Sequence, residues 1–150
     1  MIINGADLLE ARPIVNMERQ KREAFGVSWG LTECGYDIRV RERVTLHALR
    51  QFVKASSMEL FNLPPHLRGR LENKSTWARL GVDASMTTNL EPGWTGFLTL
   101  EIRYARWRPL VIPAGAGIAS VIFEEVRNPV TYRGKYQNQP PHPVEAILSK

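Results

Sequence analysis

Three short stretches hold the residue types from which a chemical site can be built. In Lys74-Ser75-Thr76-Trp77-Ala78-Arg79-Leu80-Gly81, a cation and two hydroxyls enter a short predicted helix that closes at Gly81. A helix start presents unpaired N–H groups and a positive dipole end, both suited to phosphate. Arg79 lies four residues after Ser75 and so shares its helical face. Glu91-Pro92-Gly93-Trp94-Thr95-Gly96 is a tight turn feeding a predicted strand, Phe97 to Arg103, that carries Glu101. Glu101 alternates with Leu100 and Ile102, so it faces away from the core side together with Thr99 and Arg103. Gly134-Lys135-Tyr136-Gln137-Asn138-Gln139 is polar and could close over a ligand, with Lys135 on phosphate and Gln139 as an orienting amide.

Each stretch also has a plainer account. Ser75 or Thr76 could simply cap the helix, with Gly81 as its C-terminal stop. Glu101 could be a solvated acid beside Arg103, or a general base tuned by a partly enclosed pocket. The 134–139 stretch could be ordinary loop.

Several familiar sites are excluded. A zinc nucleobase deaminase needs a His-x-Glu pair and a Pro-Cys-x-x-Cys pair. None of His47, His66 or His142 is followed two residues on by Glu, and Cys34 is the only cysteine. A Walker loop needs Gly-Lys before its hydroxyl, whereas Asn73 precedes Lys74. Gly115-Ala116-Gly117-Ile118-Ala119-Ser120 lacks the third glycine of a dinucleotide fingerprint and reads as a turn between strands. No nucleophile-elbow motif is present.

The elements that must position these residues are short strands. Tyr36 to Arg41 and Val44 to Leu49 alternate in hydropathy. Phe52 to Phe61 is β-rich and stops at Leu63-Pro64-Pro65. Leu67 to Leu71, Phe97 to Arg103, Pro109 to Ile112 and Ile118 to Glu124 follow, separated by Gly/Pro punctuation. Asn4 to Glu10 is predicted as one or two helical turns capped by Asn4 and interrupted at Pro13. Residues 16–33 are polar and unassigned, with turns expected at Trp29-Gly30 and Cys34-Gly35. The pattern predicts an all-β sandwich or barrel with little helix.

At 150 residues, 43% hydrophobic and 23% charged, the chain has the size and composition of one folded domain, 1–150, with residues 140–150 as a surface tail. No apolar run approaches the ~20 residues of a membrane span. The N-terminus shows no secretory pattern, and a lone cysteine suits a reducing cytoplasm. The net charge of +5 fits a polyanionic ligand. The basic residues are scattered over Arg19–Arg22, Arg39–Arg43, Arg68–Arg79 and Arg103–Arg108, unlike a nucleic-acid-binding arm.

Taken together, Lys-Ser-Thr-Trp-Ala-Arg-Leu-Gly, Leu-Glu-Pro-Gly-Trp-Thr-Gly with Leu-Thr-Leu-Glu, and Gly-Lys-Tyr-Gln-x-Gln resemble the dCTP deaminase family of the trimeric dUTPase-like superfamily. Tyr36-Asp37-Ile38-Arg39 is similar to the family's early strand motif, and the likeness runs from about Gly35 to Gln139. The resemblance implies a distorted β-barrel or jelly-roll subunit with one or two short helices, assembled as a homotrimer with active sites between subunits. It implies zinc-independent deamination of dCTP to dUTP and ammonia on the route to thymidine nucleotides, with Mg²⁺ bound through the triphosphate and no direct protein ligation of metal. By position, Glu101 matches the glutamate that activates water, Ser75 and Arg79 its catalytic neighbours, and Lys74, Ser75 and Thr76 the phosphate segment. Tyr132, Lys135 and Gln139 match the residues that fold over the triphosphate.

Glu91 stands where many relatives have Asp, near the chemistry by which bifunctional members carry dUTP on to dUMP. The Asp83–Leu90 loop matches the family's pyrimidine-side loop poorly. The alternatives are therefore a bifunctional dCTP deaminase/dUTP diphosphatase and a non-catalytic trimeric nucleotide-binding regulator. A pure dUTPase is disfavoured because its glycine-rich C-terminal motif is replaced by Gly-Lys-Tyr-Gln-Asn-Gln.

Overall fold

A computed structural model describes residues 1–87 and 89–148, so position 88 of the 83–90 loop and positions 149–150 of the tail lie outside the described residues. Twelve strands and two short helices are defined among them. In chain order these are β1 (Ile2–Ile3), α1 (Gly5–Ala11), β2 (Lys21–Ala24), β3 (Val27–Thr32), β4 (Gly35–Arg39), β5 (Val44–Leu46) and β6 (Phe52–Asn62). Then follow β7 (Leu67–Asn73), α2 (Ser75–Arg79), β8 (Val82–Asp83), β9 (Asn89–Leu90), β10 (Thr95–Tyr104), β11 (Leu110–Ile112) and β12 (Gly117–Glu125).

The largest sheet runs β2-β3-β4-β12-β7-β9, with β1 also on β12; a second runs β6-β10-β8, and β5 pairs with β11. All named pairings are antiparallel. The sheets meet over a shared core that includes Tyr36, Ile38, Phe61, Leu67, Leu100, Ile102, Val121 and Phe123. An isolated bridge between Val40 and Ser57 joins β4 to β6. This is the all-β fold expected from the strand pattern, with two short helices, within the one or two expected of the dUTPase-like type, although the sheets do not close into a true barrel. No helix among the described residues is long and apolar enough to cross a membrane.

Local expectations fared unevenly. Asn4 is the N-cap residue of α1 by position, but its side chain does not cap the helix. It instead spans the β3–β4 turn, donating to the Thr32 carbonyl and accepting the Gly35 N–H. Trp29-Gly30 is not a turn but the middle of β3, where Gly30 packs its backbone against Gln20. Residues 21–32 form the β2–β3 hairpin, which turns at Phe25-Gly26 with positive φ at both positions. The Val44–Leu49 expectation shortens to β5, because His47 and Arg50 exchange backbone hydrogen bonds in a turn.

Candidate active site

Glu101 lies on β10 between Leu100 and Ile102, both fully buried. The alternation turns Thr99, Glu101 and Arg103 to the opposite face. There Glu101 forms part of the wall of a cavity of about 510 Å³, within the range of small-molecule sites. Its backbone N–H donates to the buried Thr87 hydroxyl at 2.7 Å, which anchors the loop after β8 to this strand. Lys54 on β6 is its direct partner across the ladder and lines the same cavity. Partial burial raises the pKa of Glu101, and the Lys54 charge acts against that rise. Arg103 is exposed and stands opposite Asp83 of β8, so the charge felt by Glu101 comes from Lys54 and not from Arg103.

The C-terminal stretch covers this cavity from the same chain. Gln137 accepts from the Thr95 N–H at 2.8 Å and donates to the Gly93 carbonyl at 2.9 Å, while the Trp94 indole donates to the Tyr136 carbonyl at 2.7 Å. Gln139 bridges to Gly96 and accepts from the Thr99 hydroxyl at 2.7 Å. Gly96 has φ +143°, and a Cβ there would lie 2.5 Å from the Gln139 nitrogen, so only glycine admits this close approach. Tyr132 and Gln139 line the cavity, as does Glu91. Lys135 does not line it; its ammonium donates to the Ile147 carbonyl and sits 5.4 Å from the Tyr136 ring centroid.

The tail extends this cover. Val144 donates its N–H to the Thr99 hydroxyl at 3.0 Å, Glu145 forms an ion pair with Lys54, and Ile147 N–H donates to the Tyr136 hydroxyl at 3.0 Å. Val144, Glu145 and Ala146 thus stand in the cavity wall.

The helix-start cluster lies elsewhere. Lys74 is the N-cap of α2 without a side-chain cap bond, and Gly81 follows the C-cap at φ +87° as the expected stop. Trp77 fastens α2 to the core by donating to the Gly117 carbonyl at 2.6 Å. Gly117 also lets β12 pass close to β3, because a Cβ there would fall 2.0 Å from the Ser28 carbonyl oxygen. Lys74 turns inward to an ion pair with Asp37 and a 2.9 Å hydrogen bond to Ser28. Ser75, Thr76 and Arg79 are exposed, and none of these four residues lines the Glu101 cavity. One chain therefore brings together Glu101, Glu91, Tyr132 and Gln139, and leaves Lys74, Ser75, Thr76 and Arg79 apart from them.

Sequence reasoning missed Lys54, Thr87 and Thr99. Lys54 was visible as a lone cation alternating with Val53 and Ala55, but only the register with β10 gives it a partner.

An all-β chain whose C-terminal stretch returns over a cavity beside β10 has the fold of the dUTPase-like proteins. A crystal structure of 2'-deoxycytidine 5'-triphosphate deaminase from Agrobacterium tumefaciens superposes with a TM-score of 0.61 at 16% identity, covering 81% of this chain and 47% of that one. This chain therefore spans about half the length of that protein. The native dUTPase of EIAV matches at a TM-score of 0.57 and 15% identity, covering 77% of this chain and 91% of that one.

The chain belongs to the dCTP deaminase-like family, whose model matches residues 37–126. A relative from Acidobacterium capsulatum named dCTP deaminase is 32% identical, covering 81% of this chain and 84% of its own. A Corynebacterium glutamicum relative named dCTP deaminase, dUMP-forming, is 34% identical, covering 66% of this chain and 57% of its own. Relatives with these names over most of the chain support enzyme activity.

Proposed function

We propose that this protein is a hydrolytic, zinc-independent dCTP deaminase in which Glu101 activates water, and that its site is completed by a neighbouring copy in a homotrimer. The observation that carries the reading is the position of Glu101 in the cavity wall, where burial favours its protonated form. A carboxylate so placed can take a proton from water as oxygen bonds to the cytosine C4, then pass protons to the ring and to the departing ammonia. The C4–O bond forms, the C4–N bond breaks, and dCTP plus water becomes dUTP plus ammonia. One cysteine and no His-x-Glu pair leave the zinc route without ligands.

In this reading Ser75 orients the water, Arg79 steadies developing charge and Thr76 faces phosphate, while Lys74 reaches phosphate only by leaving its Asp37 partner. The separation of these residues from Glu101 on a single chain supports a site built from two copies. Tyr132, Lys135 and Gln139 belong to the segment that covers the triphosphate. Among the described residues no three His, Cys, Asp or Glu side chains converge as metal ligands. A Mg²⁺ would then take its ligands from phosphate oxygens and water, offsetting the charge of the triphosphate. A domain spanning 1–150 fits the pairing of β1 with β12 and the return of the tail to β10. A cytoplasmic setting fits the single, exposed cysteine.

A second reading, onward hydrolysis of dUTP to dUMP, is favoured by one specific observation. Glu91 lines the same cavity as Glu101, and the Corynebacterium relative is named dUMP-forming. Incubation with Mg²⁺ and dCTP, and separately with dUTP, with chromatography and an ammonia assay, distinguishes the readings. dUTP with ammonia supports the deaminase, and dUMP with pyrophosphate the bifunctional enzyme. Tight binding without product contradicts both and favours a regulator.

A further inference from the structure

Lys54 is the cation among the described residues of the cavity wall, and the deaminase reading gives it no role. Its register places it directly opposite Glu101. Residues so opposed project to the same face of the sheet, with Cβ atoms about 4.5–5.5 Å apart. The neighbours Val53 and Ala55 are buried in the core, and the Lys54 side chain itself is only 23% exposed. An ammonium so covered needs a matching charge.

Two carboxylates compete for it. Glu145 holds it now, from a tail residue whose side chain is 86% exposed. Glu101 is fixed in β10 and already feels its charge. The other ionisable groups facing the cavity are Glu91 from the turn before β10 and Tyr132 and Tyr136 from the C-terminal stretch. Arg103, two residues along β10, is opposite Asp83. Glu145 shares the wall with Val144 and Ala146, so the segment that holds Lys54 borders the space a nucleotide would enter.

We propose that Lys54 is a positioning residue for Glu101: released from Glu145 as the tail yields to substrate, its ammonium holds the Glu101 carboxylate charged and directed at the attacking water. The inference rests on the reading of Glu101 as the base. It makes the tail's Glu145 a competitor for the cation that the base requires.

The test is the pH profile of kcat for dCTP, which reports the substrate-bound enzyme, in the full-length wild type, Lys54→Met and Lys54→Arg, and of kcat/KM, which reports the free enzyme, in the wild type and Glu145→Gln, with Glu101→Gln as reference. Lys54→Met is expected to move the acid limb up, and Lys54→Arg to keep it near the wild-type position. Glu145→Gln removes the competing anion and is expected to move the limb down. An acid limb unmoved in Lys54→Met overturns the inference, even if kcat falls. If Lys54→Met does not fold, Glu145→Gln decides: a downward shift supports the inference and an unmoved limb overturns it. Full turnover by Glu101→Gln overturns the reading of the base itself. An active wild type, a dead Glu101→Gln and an unmoved limb overturn Lys54 alone.

Discussion

Lys74 and Asp37 form an ion pair that ties the start of α2 to β4, with the two side chains only 10% and 7% exposed. The cation at the head of the phosphate-like motif thus has an internal partner, and Ser28 donates to the same Asp37 oxygen at 2.8 Å. Removing one member of a buried pair leaves an unmatched charge, at a cost of about 3–5 kcal/mol. Lys74→Met is expected to lower stability in urea by that order, and Asp37→Asn to add little once Lys74 is gone. An unchanged denaturation midpoint would show that the pair contributes nothing to the fold.

Glu101 has a folded pKa above its ordinary value because of burial. Activity that needs its ionised form is expected to fall on an acid limb above the roughly 4.3 of a free glutamate. The stability effect has the corresponding sign. A carboxyl group with a raised folded pKa contributes stability that is fully present below its unfolded pKa and is lost as pH rises through the folded value. Glu101→Gln is therefore expected to be more stable than wild type at neutral pH, with the difference vanishing near pH 4. Urea midpoints across that range check it.

Gly96 holds the C-terminal stretch against β10. Gly96→Ala sets a Cβ into the Gln139 backbone at an unfavourable φ, a strain on the order of 1–3 kcal/mol. The expected result is a higher KM for dCTP and faster proteolysis within residues 132–148. Unchanged values for both would mean that the 132–139 cover plays no part in binding.

A shared site predicts complementation. Glu101→Gln and Arg79→Ala are each expected to be inactive alone. Unfolded and refolded together, they are expected to regain part of the wild-type rate, because some interfaces then pair an intact Glu101 with an intact Arg79. No recovery in a mixed trimer shown by mass to contain both variants would place the whole site within one chain.

Much of the fold was legible because its strands carry a clear two-residue alternation; β10 and β12 are the best examples, each with one face in the core. The β2–β3 hairpin was not legible, since β2 is mostly exposed and carries no apolar face to mark its period. Its Phe25-Gly26 turn was the available signal. Glu101, Glu91 and Gln139 were singled out by motifs and Tyr132 by the family resemblance, and all four line one cavity. Lys54, Thr87 and Thr99 escaped because their significance comes from contacts 14 to 47 residues away: Glu101 for Thr87, Gln139 for Thr99 and Glu101 for Lys54. The internal partner of Lys74 escaped for the same reason, since Asp37 lies 37 residues earlier.

The most direct measurement is the rate of ammonia and dUTP formation from dCTP with Mg²⁺ by purified Glu101→Gln beside the wild type. Glu101→Gln is expected to lose about 10²–10⁴-fold in kcat, the usual contribution of a general base, with nucleotide binding retained. Turnover by Glu101→Gln at the wild-type rate would contradict it.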